Sequence, residues 1–335
     1  MRTPRATAGS PVPRRTKRNL FFAAKAVISV ALVGGILAKV GIGPVIERIG
    51  AIDPALFALA VALTFLQLAL GVWRWQRVIA ALNLEMPFTR LFSAFYAGVF
   101  WNAFLPGSVG GDFIRGWKAF RAGIPLVAAV NSTLLDRAST LLALLLVSAA
   151  LTMPLYSTFG SFALVFPPLA FAAVGGIGAI MLLELLPQSW RKWRLVRAFV
   201  YLSADCRKVY LRPRPLCEIV GLSIVVTIVM SLSVYTLARG IGLAVTPLQS
   251  LLLVPPTVVI TILPVSISGW GVREVGFVYA FGTIGVPPEA ALSLSILFGI
   301  TNLIVAIPGG IFWLKQDEEP APDGARAGNE SDARP

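Results

Sequence analysis

Long apolar runs alternate with short polar or basic breaks along most of the chain. Runs over 20–40, 54–72, 125–153, 161–185, 216–238 and 289–313 each reach or approach the roughly 20 residues that a helix needs to cross a bilayer. Two further runs, 91–105 and 249–264, are shorter and end in Pro, Gly and Ser, the pattern of a segment that enters a membrane and turns back. The pattern predicts an all-α integral membrane protein with about six spanning helices and two re-entrant broken helices.

The two breaks resemble one another. "LPGSVGGDFIR" (105–115) aligns with "LPVSISGWGVR" (263–273), pairing Leu105 with Leu263, Pro106 with Pro264, Ser108 with Ser266, Val109 with Ile267, Gly111 with Gly269 and Arg115 with Arg273. After a short insertion, "AGIPLVAAV" (122–130) meets "IGVPPEAAL" (284–292). Each half then holds two spanning helices, a broken segment and a third span. Three crossings per half invert the second half relative to the first, the plan of transporters whose interrupted helices meet near the midplane. The expected organisation is a disordered basic arm (1–19), a first membrane repeat (20–153) with re-entrant 91–122, and the start of the second repeat (154–186). A basic cytoplasmic loop (187–215), the rest of repeat two (216–315) with re-entrant 249–283, and a disordered acidic tail (316–335) complete it.

Charge sets orientation. Hydrophobic residues make up 56% of the chain and charged residues 13%, more apolar surface than a soluble domain of 335 residues can hide. The net charge of +13 sits in blocks between apolar runs, not on one face, which argues against nucleic-acid binding. The basic blocks are the N-terminal arm, the loop read at Arg74, Arg77 and Arg90, and the segment from Arg191 to Arg214, whereas 154–160 and 240–248 are uncharged. Both termini are therefore expected in the cytoplasm. For 187–215 two forms compete, a topology-setting loop and an amphipathic surface helix, and the loop is the expected one. The chain has no histidine, which removes His-based acid–base catalysis and His metal ligation, and its two cysteines imply no disulfide framework.

The breaks concentrate the candidate chemistry. Pro106 and Gly107 end one half-helix while Ser108, Gly110, Gly111 and Asp112 start another; Pro264 and Gly271 play the breaker role in the second half. Half-helix N-termini present free N–H groups, and Arg115 and Arg273 add planar donors able to grip a phosphate. Arg115, Arg273, Ser108, Gly110, Gly111, Ser266 and Gly269 are thus candidate lipid-headgroup contacts. Alternatively the two arginines are held by Asp112 and Glu274 as internal ion pairs. Asp136 and Arg137 lie within the run 125–153 but point about 100° apart on a helix, so Asp136 is free to meet Arg115, and Arg137 to meet Asp112. The corresponding positions of the second half are Phe298 and Gly299. Asp112, Asp136, Arg137 and Glu274 form the expected charge network, with proton coupling through Asp136 or Glu274 as one use and pure architecture as the other. Asn102 and Asn302 read as helix glue, and Trp73, Trp75, Trp190 and Trp193 as interfacial anchors. Neither a metal nor a cofactor is expected.

"NAFLPGSVGGDFIRGWKAFRAGIPLVAAVNSTLLDRASTLLALL", followed by "LPVSISGWGVREVGFVYAFGTIGV", resembles the flippase-like membrane region of lysylphosphatidylglycerol synthases over nearly all of 20–315. The most specific matches fall on Pro106, Gly107, Gly110, Gly111, Asp112, Arg115, Asp136, Arg137, Gly269, Gly271, Arg273 and Glu274. That family also includes stand-alone membrane proteins associated with hopanoid or glycolipid pathways. Its aminoacyl transfer resides in a large soluble C-terminal domain, and about twenty residues follow the last apolar run here, so the resemblance implies the membrane role without lysyl transfer. The first reading is a lipid translocase in the plasma (inner) membrane of a prokaryote, moving an anionic or modified phospholipid, hopanoid or glycolipid. A non-catalytic subunit serving a lipid-pathway enzyme is the alternative, and a membrane-embedded lipid-processing enzyme a third; a homo-oligomer is compatible with each.

Overall fold

The computed structural model describes residues 34–35, 37–38, 41–104, 110–152, 164–185, 193–262 and 269–314. Among them the chain is all-helical: α1 (Ile42–Gly50), α2 (Pro54–Ala81), α3 (Phe88–Phe104), α4 (Gly110–Arg121), α5 (Leu126–Thr152) and α6 (Phe166–Leu182), the last followed by a 3₁₀ turn. Then come α7 (Arg194–Tyr210), α8 (Pro213–Gly240), α9 (Pro247–Ile262), α10 (Val272–Gly282), α11 (Pro288–Ala306) and α12 (Gly309–Leu314). Proline at the first helical positions starts several of these, where its missing N–H costs nothing. At α2 the Asp53 carboxylate also accepts from the Ala55 and Leu56 N–H groups at 2.8 and 3.1 Å.

Four helices are long and apolar enough to cross a bilayer: 54–81, 126–151, 213–240 and 288–314. This is a multi-pass membrane protein by helix length and hydropathy. The run at 20–40 lies largely outside the described residues. The run at 161–185 condenses to the 17-residue α6, which at 1.5 Å per residue reaches only about 25 Å of the roughly 30 Å hydrocarbon core. Pro167 and Pro168 set its start and the 3₁₀ turn Leu183–Leu185 follows it. The last span breaks after Ala306, at Pro308, and resumes as α12.

The two expected breaks are helical hairpins. α3 packs on α4 and α9 on α10, and each pair is followed in the chain by a long helix, α5 or α11. Residues 105–109 and 263–268, which hold Pro106, Gly107, Ser108, Pro264 and Ser266, lie outside the described residues. One core gathers α8, α9, α10 and α11 around Leu237, Leu253, Phe277 and Phe281; the other gathers α2, α3, α4, α5 and α7 around Trp75, Ile79, Leu91 and Leu135. α2 and α8 join the two, their Thr64 and Ser233 hydroxyls 3.1 Å apart.

The segment 187–215, expected as a loop, contains the helix α7. Its inner face explains why: Ser203, Asp205, Cys206, Val209 and Tyr210 are buried, so tertiary packing stabilises what basic composition alone does not. Trp193 and Phe199 stay exposed near its start.

Candidate functional site: two hairpin-borne arginine sites

In the first hairpin the arms touch through glycine. A Cβ on Gly111 would run into the Gly98 carbonyl and the Asn102 side chain, and one on Gly98 would sit 2.8 Å from the Gly111 carbonyl. The Gly111 N–H donates to Asn102 Oδ1 at 2.9 Å, tying the start of α4 to the end of α3. That contact draws Arg115, one turn further on, into the protein.

Arg115 Nη1 donates to Asp136 Oδ2 at 2.8 Å, and Arg74 Nε to Asp136 Oδ1 at 2.7 Å. Asp112 completes the chain of charges: Arg137 Nε donates to its Oδ2 at 2.5 Å, and Arg115 Nη2 lies 3.6 Å from its Oδ1. Adjacent positions on α5 thus serve different partners, as the 100° step requires, while Asp112 and Arg115 share a face of α4 at i, i+3. The side chains of Arg74, Arg115 and Asp136 are 6%, 5% and 2% exposed, against 17% for Asp112 and 38% for Arg137. The network therefore runs from a sealed interior to an accessible edge. The Arg115 guanidinium also lies over the rings of Trp75 and Phe95, 4.8 and 5.2 Å from their centroids. Its Nε is buried without a hydrogen-bond partner.

The second hairpin holds a smaller counterpart. Gly269 and Gly271 take φ +81° and +89°, values that L side chains rarely adopt, and so turn the chain into α10. Glu274 Oε2 accepts from the Gly271 N–H at 2.5 Å, and Oε1 accepts from Arg273 Nη2 at 2.6 Å and from Ser295 Oγ at 3.2 Å. Arg273 stacks on Trp270 and reaches Phe298, with centroids at 4.5 and 6.0 Å. A Cβ on Gly299 would collide with its guanidinium. Arg115 meets Asp136 in the first site and Arg273 meets Phe298 in the second, where Gly299 leaves room for the Arg273 guanidinium.

Of the sequence-derived candidates, the fold brings together Asp112, Arg115, Asp136 and Arg137 in one cluster, with Gly110 and Gly111 at the start of its helix. It brings Gly269, Gly271, Arg273 and Glu274 together in the other. Gly111 and Gly269 face protein: Gly269 packs beside Thr261, and the Gly111 N–H is bonded within the hairpin. Asn302 donates to the Phe298 carbonyl within its own helix.

Two assignments change. Arg74, read as a loop residue, is buried within α2 and bonded to Asp136, because α2 continues nine residues past the expected end at 72. Trp75, read as an interfacial anchor, is fully buried and donates from Nε1 to Ser132 Oγ at 3.3 Å. The signal present in the sequence was the helical spacing of Val72, Trp75, Val78 and Ile79, which carries the apolar face straight through the two arginines.

α7 grips α5 on either side of Asp136. Asn131 Nδ2 donates to Asp205 Oδ2 at 2.8 Å, and Tyr210 Oη lies 2.8 Å from Ser139 Oγ and donates to the Leu135 carbonyl at 3.2 Å. Burial pushes the Tyr210 phenol up to about 12, and burial followed by the Asp205 charge pushes the Cys206 thiol up to about 11. Both are neutral at physiological pH. Among the described residues no three His, Cys, Asp or Glu side chains converge as a metal site would require.

Comparison with curated proteins returns no match for this chain. The family model described as lysylphosphatidylglycerol synthase TM region matches residues 22–310, spanning both hairpins, both arginine sites and the four long helices up to residue 310. The chain belongs to that family of lipid-related membrane regions.

Proposed function

We propose that this protein is a lipid translocase that moves a lipid with a phosphate-bearing headgroup between leaflets. One observation carries the reading. The first cluster grades from the buried Arg74–Asp136–Arg115 centre to a part-exposed Arg137 in a bundle with membrane-spanning helices, which presents a guanidinium able to grip a phosphate at the edge of an apolar helical core. In this reading the headgroup enters at Arg137, the exposed edge, and competes with Asp112 for its guanidinium. The Arg273–Glu274 pair is internally balanced and holds the second hairpin in place. The finer architecture proposed with it is six spans and two re-entrant hairpins in an inverted repeat, with both termini in the cytoplasm of a prokaryotic cell and the protein in its plasma membrane. Inverted hairpins supply the symmetric opening to either leaflet that alternating access needs.

The test is reconstitution into vesicles carrying fluorescent phospholipids, with chemical quenching of the outer leaflet. The expected result is loss of the protected inner-leaflet signal with wild-type protein and its persistence with Arg115→Met and Arg137→Gln. Wild-type kinetics equal to protein-free vesicles, across anionic, zwitterionic and glycolipid probes, would overturn the proposal.

A further inference from the structure

Helix α7 has two unlike sides. The inner side is bonded to α5 on either side of Asp136, through Asp205 to Asn131 and through Tyr210 to Ser139. It also reaches the end of α6, where Ser203 Oγ donates to the Met181 carbonyl at 2.9 Å. The outer side leaves Trp193, Phe199, Tyr201 and Leu211 half or more exposed. Trp193, the N-cap residue, stands one turn before Arg197 and Tyr201 one turn after it, which sets the three along one stripe. Between Trp193 and Pro215 the chain has one acidic residue, Asp205, and it is buried, bonded to Asn131 and Lys208. Arg207 and Arg214 are balanced by Glu184 and Glu218, each at 3.0 Å. Arg197 and Arg212 are exposed and stand outside these pairs.

Exposed rings beside exposed guanidiniums suit neither of two uniform media: water leaves the rings solvated, and hydrocarbon penalises the charges. The headgroup layer accepts both, since tryptophan and tyrosine settle there and arginine meets phosphate. The long span α8 starts at Pro213, directly after α7 ends, so the two sides of α7 meet the boundary of the apolar bundle. A second copy of this chain fits the face less well, because a two-fold contact through it opposes arginines of like sign. We infer that α7 docks by its outer side on the headgroup layer of an anionic leaflet. Trp193 and Tyr201 anchor it, and Arg197 and Arg212 supply the preference for negatively charged lipid. The bonds of the inner side then brace α5 against that surface.

The experiment uses the full chain in phosphatidylcholine vesicles, carrying Cys217→Ser and Ala198→Cys. A maleimide fluorophore then marks the exposed position beside Arg197, while the buried Cys206 is spared. Nitroxide-labelled phosphatidylserine and phosphatidylcholine with the same acyl chains serve as quenchers. The phosphatidylserine probe should quench at about twentyfold lower content than its zwitterionic counterpart. High salt should abolish that preference. Arg197→Gln and Arg212→Gln should each weaken it about fivefold, and together remove it. Continued protection of Cys206 from maleimide separates lost charge from lost packing, and the salt arm needs no substitution. Equal quenching by the two lipids, or a preference untouched by salt and by both arginine substitutions, overturns the inference. A label reached by aqueous iodide and by neither lipid overturns it too, by placing the face in water. Self-quenching that rises with the protein-to-lipid ratio does the same, by placing a second copy there. Arg137→Gln should leave the preference intact; its loss in that variant moves the anionic lipid to the first cluster and overturns docking through α7.

Discussion

Arg74 on α2 and Arg115 on α4 share one carboxylate, taking Asp136 Oδ1 and Oδ2 at 2.7 and 2.8 Å. Helices α2, α4 and α5 are thereby pinned at one buried point, and the first hairpin cannot leave the bundle without breaking an ion pair in a medium that penalises separated charge. The same point is the sealed end of the cluster that opens at Arg137.

The shared carboxylate makes Asp136 the most sensitive position of the cluster. Asp136→Asn leaves two buried guanidiniums without their counter-charge and is expected to destabilise the fold by about 3–5 kcal/mol. Asp112→Asn, at the wetter end, should destabilise it by no more than about 1 kcal/mol. Thermal melts in detergent check the order; equal effects would show that burial does not grade the network.

Glycine at the hairpin crossing is required for space. Gly111→Ala drives a methyl group into the Gly98 carbonyl, a rigid backbone atom, and overpacking of this kind costs about 1–3 kcal/mol. Gly175→Ala on α6 meets open space and is expected to be neutral or mildly stabilising. Melting temperatures of the two variants should therefore move apart, and Gly111→Ala should also lower vesicle activity.

Alkaline pH offers a readout on α7, which is outside the four long spans. The Cys206 thiol goes from its ordinary 9.0 to about 11. A group raised on folding contributes stability that is complete below its unfolded value and lost as pH climbs through the folded one, here from about 9 to about 11. Tyr210 extends the loss from its ordinary 10.0 to about 12. Stability measured against pH should fall across this window, less steeply in Cys206→Ala. At pH 7.5 maleimide should modify the exposed Cys217 and spare Cys206.

Sidedness tests the inverted architecture. In a cysteine-free background, Ser108→Cys and Ser266→Cys should react with a membrane-impermeant reagent from opposite faces of oriented vesicles. Labelling of both from the same face removes the inverted arrangement, though not the buried charge cluster.

Much of this was legible in the chain. Apolar run length located the four long helices within a few residues, apart from the end of α2. The 100° step between Asp136 and Arg137 required them to seek different partners, and the offsets of Asp112 and Arg115 supplied those partners. Proline and glycine marked the two hairpins, because a residue that lacks an N–H or tolerates positive φ leaves its mark wherever the chain stands. These are local properties, set by neighbours within a turn or two.

Other features answered to residues far away. Arg74 looked like the end of a span because a charge normally leaves the bilayer; it stays inside because Asp136, sixty-two positions later, is folded against it. Basic composition made 187–215 look like a loop, and helix α7 exists because Cys206, Val209 and Tyr210 find a surface to bury against. Gly98 and Gly299 gave no signal, since the need for a missing Cβ arises only when another backbone or a guanidinium arrives at that spot. The sequence by itself determined where the long apolar helices run and where proline and glycine interrupt them. Only the tertiary structure decided which charges compensate one another, because the energy of a buried charge depends on distances that no run of neighbouring residues contains.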